Sequence, residues 1–405
     1  MPEAYIVKRA AVLDRQQKLM GYYFFWRQPV NTTEGLVAKA RETLVWISGL
    51  FGSNQERDQP AGLRYYFRSP AALLRDDGFC DLPRSALGLI VLPEDLKDAA
   101  ECEAMQMLRQ EGCEIVLRID DLAALQPELF SLVDLVEVRF EAGNFSAQAK
   151  IYGVLKNTSV HMLASRVEDW RELAVCHKLG LSTVVGDFYY TLPPDLVGEQ
   201  KALNPSQVTL LRVMDAVQAN AEINVLEELL KHDAGISYKL LFYINSAAFG
   251  LGFEIKSLRH AIQMLGYRPL YRWLCVLLAT SDSGHVSSVL LQTALMRGRM
   301  MELLGAKLLS SQDVENLFIV GMFSLLDRLL GIEMTQAIDQ IRLPESVLDA
   351  LLDRTGVFHS VLELVKACEL PDDTALELAD VLGVALDDIN VAHAKAIGWS
   401  QSLVA

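Results

Sequence analysis

The apolar positions of this chain follow two different periods, and the change falls near its middle. Before about residue 195, short runs rich in Val, Ile and Leu recur at Ala86–Leu92, Glu114–Ile119, Asp134–Phe140, Val160–Ala164 and Ser182–Val185. Each has the length and side-chain type of a strand. Helix-period stretches lie between them, including Leu96–Gln110 and Glu168–Leu179, the second followed by Gly180 where a C-cap belongs. Strands alternating with helices imply parallel pairing through helical crossovers. That predicts an α/β half, either an open doubly wound sheet or a (β/α) barrel, and periodicity does not choose between them.

After Pro193-Pro194 the strand pattern stops, and from about Asn204 the spacing is helical. Leu210, Val213, Met214 and Val217 form one apolar stripe. Asn224 with Glu227 reads as an N-cap and its partner, Asp233 as the cap of the next helix, and Ser257 as the cap of a third that Gly266 stops. Four or five further helices, punctuated by Pro344, Pro371 and several glycines, complete an all-α half. No internal repeat or low-complexity tract interrupts either half.

Composition narrows the function classes. With 51% apolar and 22% charged residues, the chain has ample core for two domains. A formal charge of −15 opposes a broad phosphate-binding face, so nucleic acid is not the expected partner. The six cysteines are scattered without a C-x-x-C pair, which argues against structural zinc and a disulfide scaffold. The first residues lack a signal-peptide pattern, and the longest apolar run, Leu317–Leu326, ends at Asp327. It is shorter than the roughly 18 residues a membrane span needs. A cytoplasmic protein without membrane contact is expected.

The helical half carries a resemblance. Lys231-His-Asp-Ala-Gly-Ile-Ser-Tyr-Lys-Leu-Leu241, Ile244-Asn-Ser-Ala-Ala-Phe-Gly250 and Ile255-Lys-Ser-Leu-Arg-His-Ala-Ile-Gln-Met-Leu-Gly266 resemble the central signature of HDOD domains. Asp233, Asn245, Ser246, Phe249 and Gly250 are its marked positions. HDOD domains are helical relatives of HD phosphohydrolases without the metal ligands. Val12–Tyr22, Leu163–Glu168, Glu172–Gly180 and Gly186-Asp-Phe188 resemble the EAL domain that precedes an HDOD domain in YuxH-type bacterial signalling proteins. The resemblance implies a degenerate EAL-type (β/α) barrel over 1–195 and a helical HDOD domain over 200–405.

Active EAL enzymes hydrolyse cyclic di-GMP with two divalent metals held by carboxylates and an asparagine, a lysine helping to activate water. Matched to that pattern, this chain has Tyr23 for the first glutamate and Val91 for the asparagine. Arg118 and Ile119 stand for the paired aspartates, Glu137 for the lysine and Arg139 for the aspartate two residues on. Ser165 replaces the late glutamate, and Val185 a glutamine near the last strand. The short spacing from Leu92 to Gly112 implies that one strand with a further glutamate is missing. Glu137 and Arg139, two apart on a strand, share a face and are expected to neutralise each other. Asp120-Asp121 restores an acidic pair only after a register shift, and Arg27 matches an arginine that contacts ligand phosphate in active relatives.

Other features read as structural. His232-Asp233 spells an HD dyad but sits at a helix junction, while Ser324 and Leu325 occupy the place of the true dyad. Cys176-His177, adjacent on a helix, point about 100° apart. Tyr238, Phe242, Tyr243, Phe249 and Phe253 read as core rather than a base-stacking platform, with an exposed subset as the alternative anchor for a protein. The resemblance thus implies a non-enzymatic signalling protein, linked to motility or biofilm, that needs no cofactor. Its expected partners are proteins: a histidine kinase, a cyclic-di-GMP enzyme or a transcriptional regulator. A barrel that binds cyclic di-GMP without hydrolysis and a residual phosphodiesterase are the alternatives.

Overall fold

Parallel strands joined by helical crossovers leave two exposed edges unless the sheet closes, and here it closes. The computed structural model describes residues 6–26, 32–52, 63–75, 79, 82–119, 127–140, 145–191, 193–194, 203–245, 255–281, 288–339, 341–369 and 374–404. The described strands are β1 (Lys8–Asp14), β2 (Leu19–Phe25), β3 (Arg64–Arg68), β4 (Leu87–Val91), β5 (Glu114–Ile119), β6 (Leu135–Arg139), β7 (His161–Val167) and β8 (Thr183–Gly186). They form a closed barrel in sequence order. β1 is antiparallel to β2 and β8, and the other neighbours are parallel. The C-terminal ends of β2–β8 therefore gather at one rim, the mouth.

The five expected strands are present, and β1–β3 join them. Charged ends hide β1 and β3 in the sequence: Lys8 and Arg9 open β1, and Arg64 and Arg68 bracket β3. Crossover helices α1 (Thr33–Gly52), α2 (Ala99–Gln110), α3 (Phe145–Leu155) and α4 (Trp170–Lys178) cover the outside. Asp98 and Asp169 cap α2 and α4 by accepting from Ala100 N and Glu172 N. The short Leu92–Gly112 spacing holds a 3-10 turn (Asp95–Lys97) and α2 but no strand, yet β4 pairs directly with β5 and the ring still closes.

Val12, Tyr23, Tyr66, Ile90, Val116, Leu135, Leu163 and Val185 fill the lumen. Gly88 makes room for the Tyr66 ring, since a Cβ there would lie 2.2 Å from Tyr66 Cδ1. The Tyr66 hydroxyl donates to Glu114 Oε2 (2.6 Å), and Arg64 pairs with Glu114 Oε1 (2.7 Å) at the end opposite the mouth.

The second half is helical throughout its described length. It contains α5 (Pro205–Gln218), α6 (Ile223–Lys231), α7 (Ala234–Ile244), α8 (Leu258–Leu265), α9 (Tyr267–Ala279), α10 (Ser288–Leu308) and α11 (Ser311–Phe323). After these come α12 (Leu326–Leu330), α13 (Met334–Ile338), α14 (Glu345–Leu348), α15 (Gly356–Ala367), α16 (Thr374–Leu382) and α17 (Leu386–Val404). Asn204 and Gln207 form a capping box on α5, Asp233 and Ser257 cap α7 and α8, and Gly266 ends α8. The cap of α6 is Glu222, not Asn224. The preceding turn is already complete at Asn220 (φ 50°), so the helix starts earlier than the Asn224–Glu227 spacing suggests. α10 and α11 cross tightly at Gly321, where a Cβ would meet the Arg297 carbonyl carbon at 2.6 Å.

The last helix returns to the barrel. Asn390 Oδ1 accepts from Val7 N (2.9 Å), and its carbonyl accepts from Trp46 Nε1 of α1 (2.7 Å). Gln401 Nε2 donates to the Tyr65 hydroxyl (3.0 Å). On the helical side, Trp399 packs edge-on against Phe318 of α11 (5.9 Å), and Arg272 of α9 stacks over both rings. Helix α17 thus belongs to the barrel wall and to the bundle together.

A buried charge cluster lies beside this helix. Glu369, just after α15, accepts from Arg9 Nη2 of β1 (3.1 Å), Arg297 Nη2 of α10 (2.6 Å) and the Tyr190 hydroxyl (2.7 Å). Arg9 Nε donates to His393 Nε2 (2.9 Å), whose Nδ1 lies 3.1 Å from the Val7 carbonyl. Burial raises the Glu369 carboxyl, but the pull of Arg297 and Arg9 wins and holds it below the usual range. Burial, reinforced by Arg9, lowers His393 to about 3.

The sign of the linkage follows from that depression. The unfolded chain takes up the His393 proton at about pH 6.5 while the folded chain does not, so stability is full above that pH and falls as pH drops toward 3. Wild-type protein should lose about 2 kcal/mol from this group between pH 7 and pH 5, and His393→Gln should lose that slope. Urea unfolding at both pH values measures the difference.

Candidate functional site: the barrel mouth

Strand alternation decides which side chains reach the mouth. On β5 and β6, Arg118 and Glu137 are register partners and face inward, and Arg139 shares the Glu137 face and pairs with Ser165 of β7. Ser165 in turn pairs with Val185 of β8, and Tyr23 enters from β2. Six of the eight sequence-assigned positions therefore lie on the lumen side. The other two do not. Ile90, not Val91, enters the lumen from β4, and Val91 and Ile119 pack outward with the crossover layer.

Glu137 is the central polar group, with a side chain 2% exposed. The Tyr23 hydroxyl donates to its Oε2 (2.9 Å), the Ser165 hydroxyl to its Oε1 (2.8 Å), and Arg118 Nε to its Oε2 (3.1 Å). The guanidinium of Arg118 also lies 5.7 Å from the centroid of the Tyr23 ring. The ion pair thus runs across strands to Arg118, not along β6 to Arg139 as expected. Register explains it: residues opposite on adjacent strands are closer than residues two apart on one strand. Arg68, at the end of β3, turns to Asp95 (2.8 Å).

Two divalent cations would each need several oxygen donors free of other hydrogen bonds. Among the described residues, the fully buried mouth carboxylate, Glu137, already receives three donors, and its neighbours are hydroxyls, aliphatic groups and arginines. The described donor set does not fit a metal pair. Among the described residues, no group of three or more His, Cys, Asp or Glu side chains is placed to hold a metal ion. Asp120, Asp121 and Arg27 lie outside the described residues.

A rim carboxylate escaped the sequence reading. Asp187 follows β8, and burial, reinforced by Glu168 and Glu172, raises it to about 6. Its only sequence signal was its place in Gly186-Asp-Phe188. The next residues, Phe188–Tyr190, form a 3-10 turn that ends in the Glu369 cluster.

In the helical half, Asp233 accepts from Gly235 N, Ile236 N and the Ser206 hydroxyl, which makes it a cap and holds its carboxyl low, the Ser206 bond first. Asn245 donates to the carbonyls of Leu241 and Ile255 and accepts from Ile255 N, clasping the chain after α7. Ser246, Phe249, Gly250 and Phe253 lie outside the described residues. Ser324 accepts from Arg297 Nη1 (3.0 Å), and Leu325 is buried. Burial, with Glu172, pushes the Cys176 thiol up to about 12, so it is no nucleophile at neutral pH. Tyr238 and Phe242 correct the core reading: each is 68% exposed, with their rings 6.2 Å apart on α7. Among the described residues, no helix is long and apolar enough to cross a membrane.

Barrel, helical half and signature clasp define the class. Residues 203–341 match the HDOD domain model, and this region is an HDOD domain. The whole chain is similar to YuxH of Bacillus subtilis, at 24% identity over 98% of both chains. It is also similar to CdgJ of Vibrio cholerae, named a cyclic di-GMP phosphodiesterase, at 26% identity over 98% of this chain and 92% of that one. Solved structures similar to this chain include the EAL enzyme Bd1971 with cAMP and cyclic di-GMP bound (11% identity, TM-score 0.36, 45% of this chain and 61% of that one). Another is the EAL domain of Mycobacterium smegmatis DcpA (15% identity, TM-score 0.35, 45% of this chain and 90% of that one).

The mouth contacts carry a testable energy. Arg118→Met leaves the buried Glu137 without its cation and should destabilise the protein by about 2–3 kcal/mol. The double variant Arg118→Met with Glu137→Gln should recover part of that loss. Chemical denaturation of the two variants and wild type measures it.

Proposed function

We propose that this chain is a signalling protein that acts by docking onto other proteins and does not hydrolyse cyclic di-GMP. One observation carries the reading: the Glu137 carboxylate at the mouth is consumed by Tyr23, Ser165 and Arg118. A carboxylate so engaged has little left to offer a metal pair. The exposed ring pair of Tyr238 and Phe242 on α7 supports docking through the HDOD domain, because aromatic side chains are enriched at the centres of protein interfaces. A histidine kinase, a cyclic-di-GMP enzyme and a transcriptional regulator are the partner classes that fit.

The name of CdgJ favours a second reading, in which the barrel binds or cleaves cyclic di-GMP. Incubation of full-length protein with cyclic di-GMP and millimolar Mg²⁺ or Mn²⁺ separates the two. No linear product is expected; turnover that disappears in Glu137→Gln would reinstate an enzyme. Calorimetry with the same nucleotide then tells receptor from scaffold, a saturable heat favouring the receptor.

If the α7 rings serve contact rather than folding, Tyr238→Ala with Phe242→Ala should change the unfolding free energy by no more than about 0.5 kcal/mol per site. A loss above about 2 kcal/mol per site would mean that the rings pack as core. Thermal or urea unfolding decides it.

A further inference from the structure

The cluster around Glu369 joins segments that lie far apart in the chain. Arg9 comes from β1, Tyr190 from the turn after β8, Arg297 from α10 inside the HDOD domain, Glu369 from beyond α15, and His393 from α17. The side chains of Arg9, Arg297 and Glu369 are 3%, 5% and 2% exposed. Tyr190 is held from three directions: its hydroxyl donates to Glu369, its carbonyl accepts from Arg328 Nε (3.0 Å), and its ring lies 5.0 Å from the Arg297 guanidinium. Arg297 also reaches Ser324, so the relict dyad position of the HDOD domain is part of the same network.

Two arginines share one carboxylate here, so neither can be pulled away without stranding charge in apolar surroundings. A partly separated arrangement is worse than either the closed one or a fully solvated one. Apolar side chains of similar volume would hold two surfaces together as well or better. What the charges can add is a fixed register, through hydrogen bonds that strengthen one another and are costly to leave half made. The turn Phe188–Tyr190 leaves the barrel at the mouth rim, so the network begins where β8 ends.

We propose that the Glu369 cluster is a latch that makes the barrel and the HDOD domain open and close as one cooperative unit, with the turn Phe188–Tyr190 linking it to the barrel mouth. A contact that engages either half is then felt by the other through Arg9, Tyr190 and Arg297. The latch does not depend on whether the mouth binds a nucleotide.

Hydrogen–deuterium exchange on the full chain tests this. Glu369→Gln keeps the shape and removes the charge. It should speed exchange at least tenfold, together, in β1, in residues 188–191, in α10 and in α17. Tyr190→Phe removes one hydroxyl and should give the same pattern at a few-fold; it decides the matter if Glu369→Gln does not fold. Arg268→Ala, which breaks an exposed pair with Glu315, should leave all four segments at wild-type rates. Faster exchange confined to the end of α15, or no change in β1 and residues 188–191, would overturn the latch.

Discussion

A carboxylate taken out of water must be met by donors or stay protonated, and this molecule depends on that constraint twice. At the mouth, Glu137 is met by Tyr23, Ser165 and Arg118. Between the halves, Glu369 is met by Arg9, Arg297 and Tyr190. In each place, arginine supplies the cationic charge. Guanidinium suits the task because it stays protonated and directs several donors in one plane. The difference lies in reach: the Glu137 group stays within four strands of the barrel, while the Glu369 group gathers residues 360 apart in the chain.

This changes how the two halves are to be pictured. The HDOD match ends at residue 341, but the chain continues into α15, the Glu369 cluster and α17, which covers β1 and α1. Asn390 and Gln401 hold the barrel from one face of α17, while Trp399 is gripped by Phe318 and Arg272 from the other. A barrel whose wall includes the chain's last helix shares its stability with everything between. Local opening in such a molecule is expected to spread rather than remain in one half.

Much of the fold was legible in the residues. The Val, Ile and Leu runs marked β4–β8, and Asp233, Ser257 and Gly266 marked the ends of α7 and α8. What was hidden has physical causes. β1 and β3 carry arginines at their ends, because one outward arginine is used in the latch and others bind Glu114 and Asp95, and this breaks the apolar signature. Helix α7 is apolar around most of its circumference, so residue type did not show that Tyr238 and Phe242 face out, away from the buried Ile236, Leu240 and Ile244. Offsets brought Tyr23, Arg118, Glu137 and Ser165 around one point, while Val91 and Ile119 pack on the outer side, because offsets along the chain do not record strand parity. The Glu369 cluster left no trace at all: its members share no motif, only a destination.

The central claim is that the mouth's carboxylate is already spent. Crystals soaked in manganese and measured by anomalous diffraction address it most directly. No ordered cation should appear within coordination distance of Glu137. Two well-ordered manganese ions bridged by that carboxylate would contradict the account.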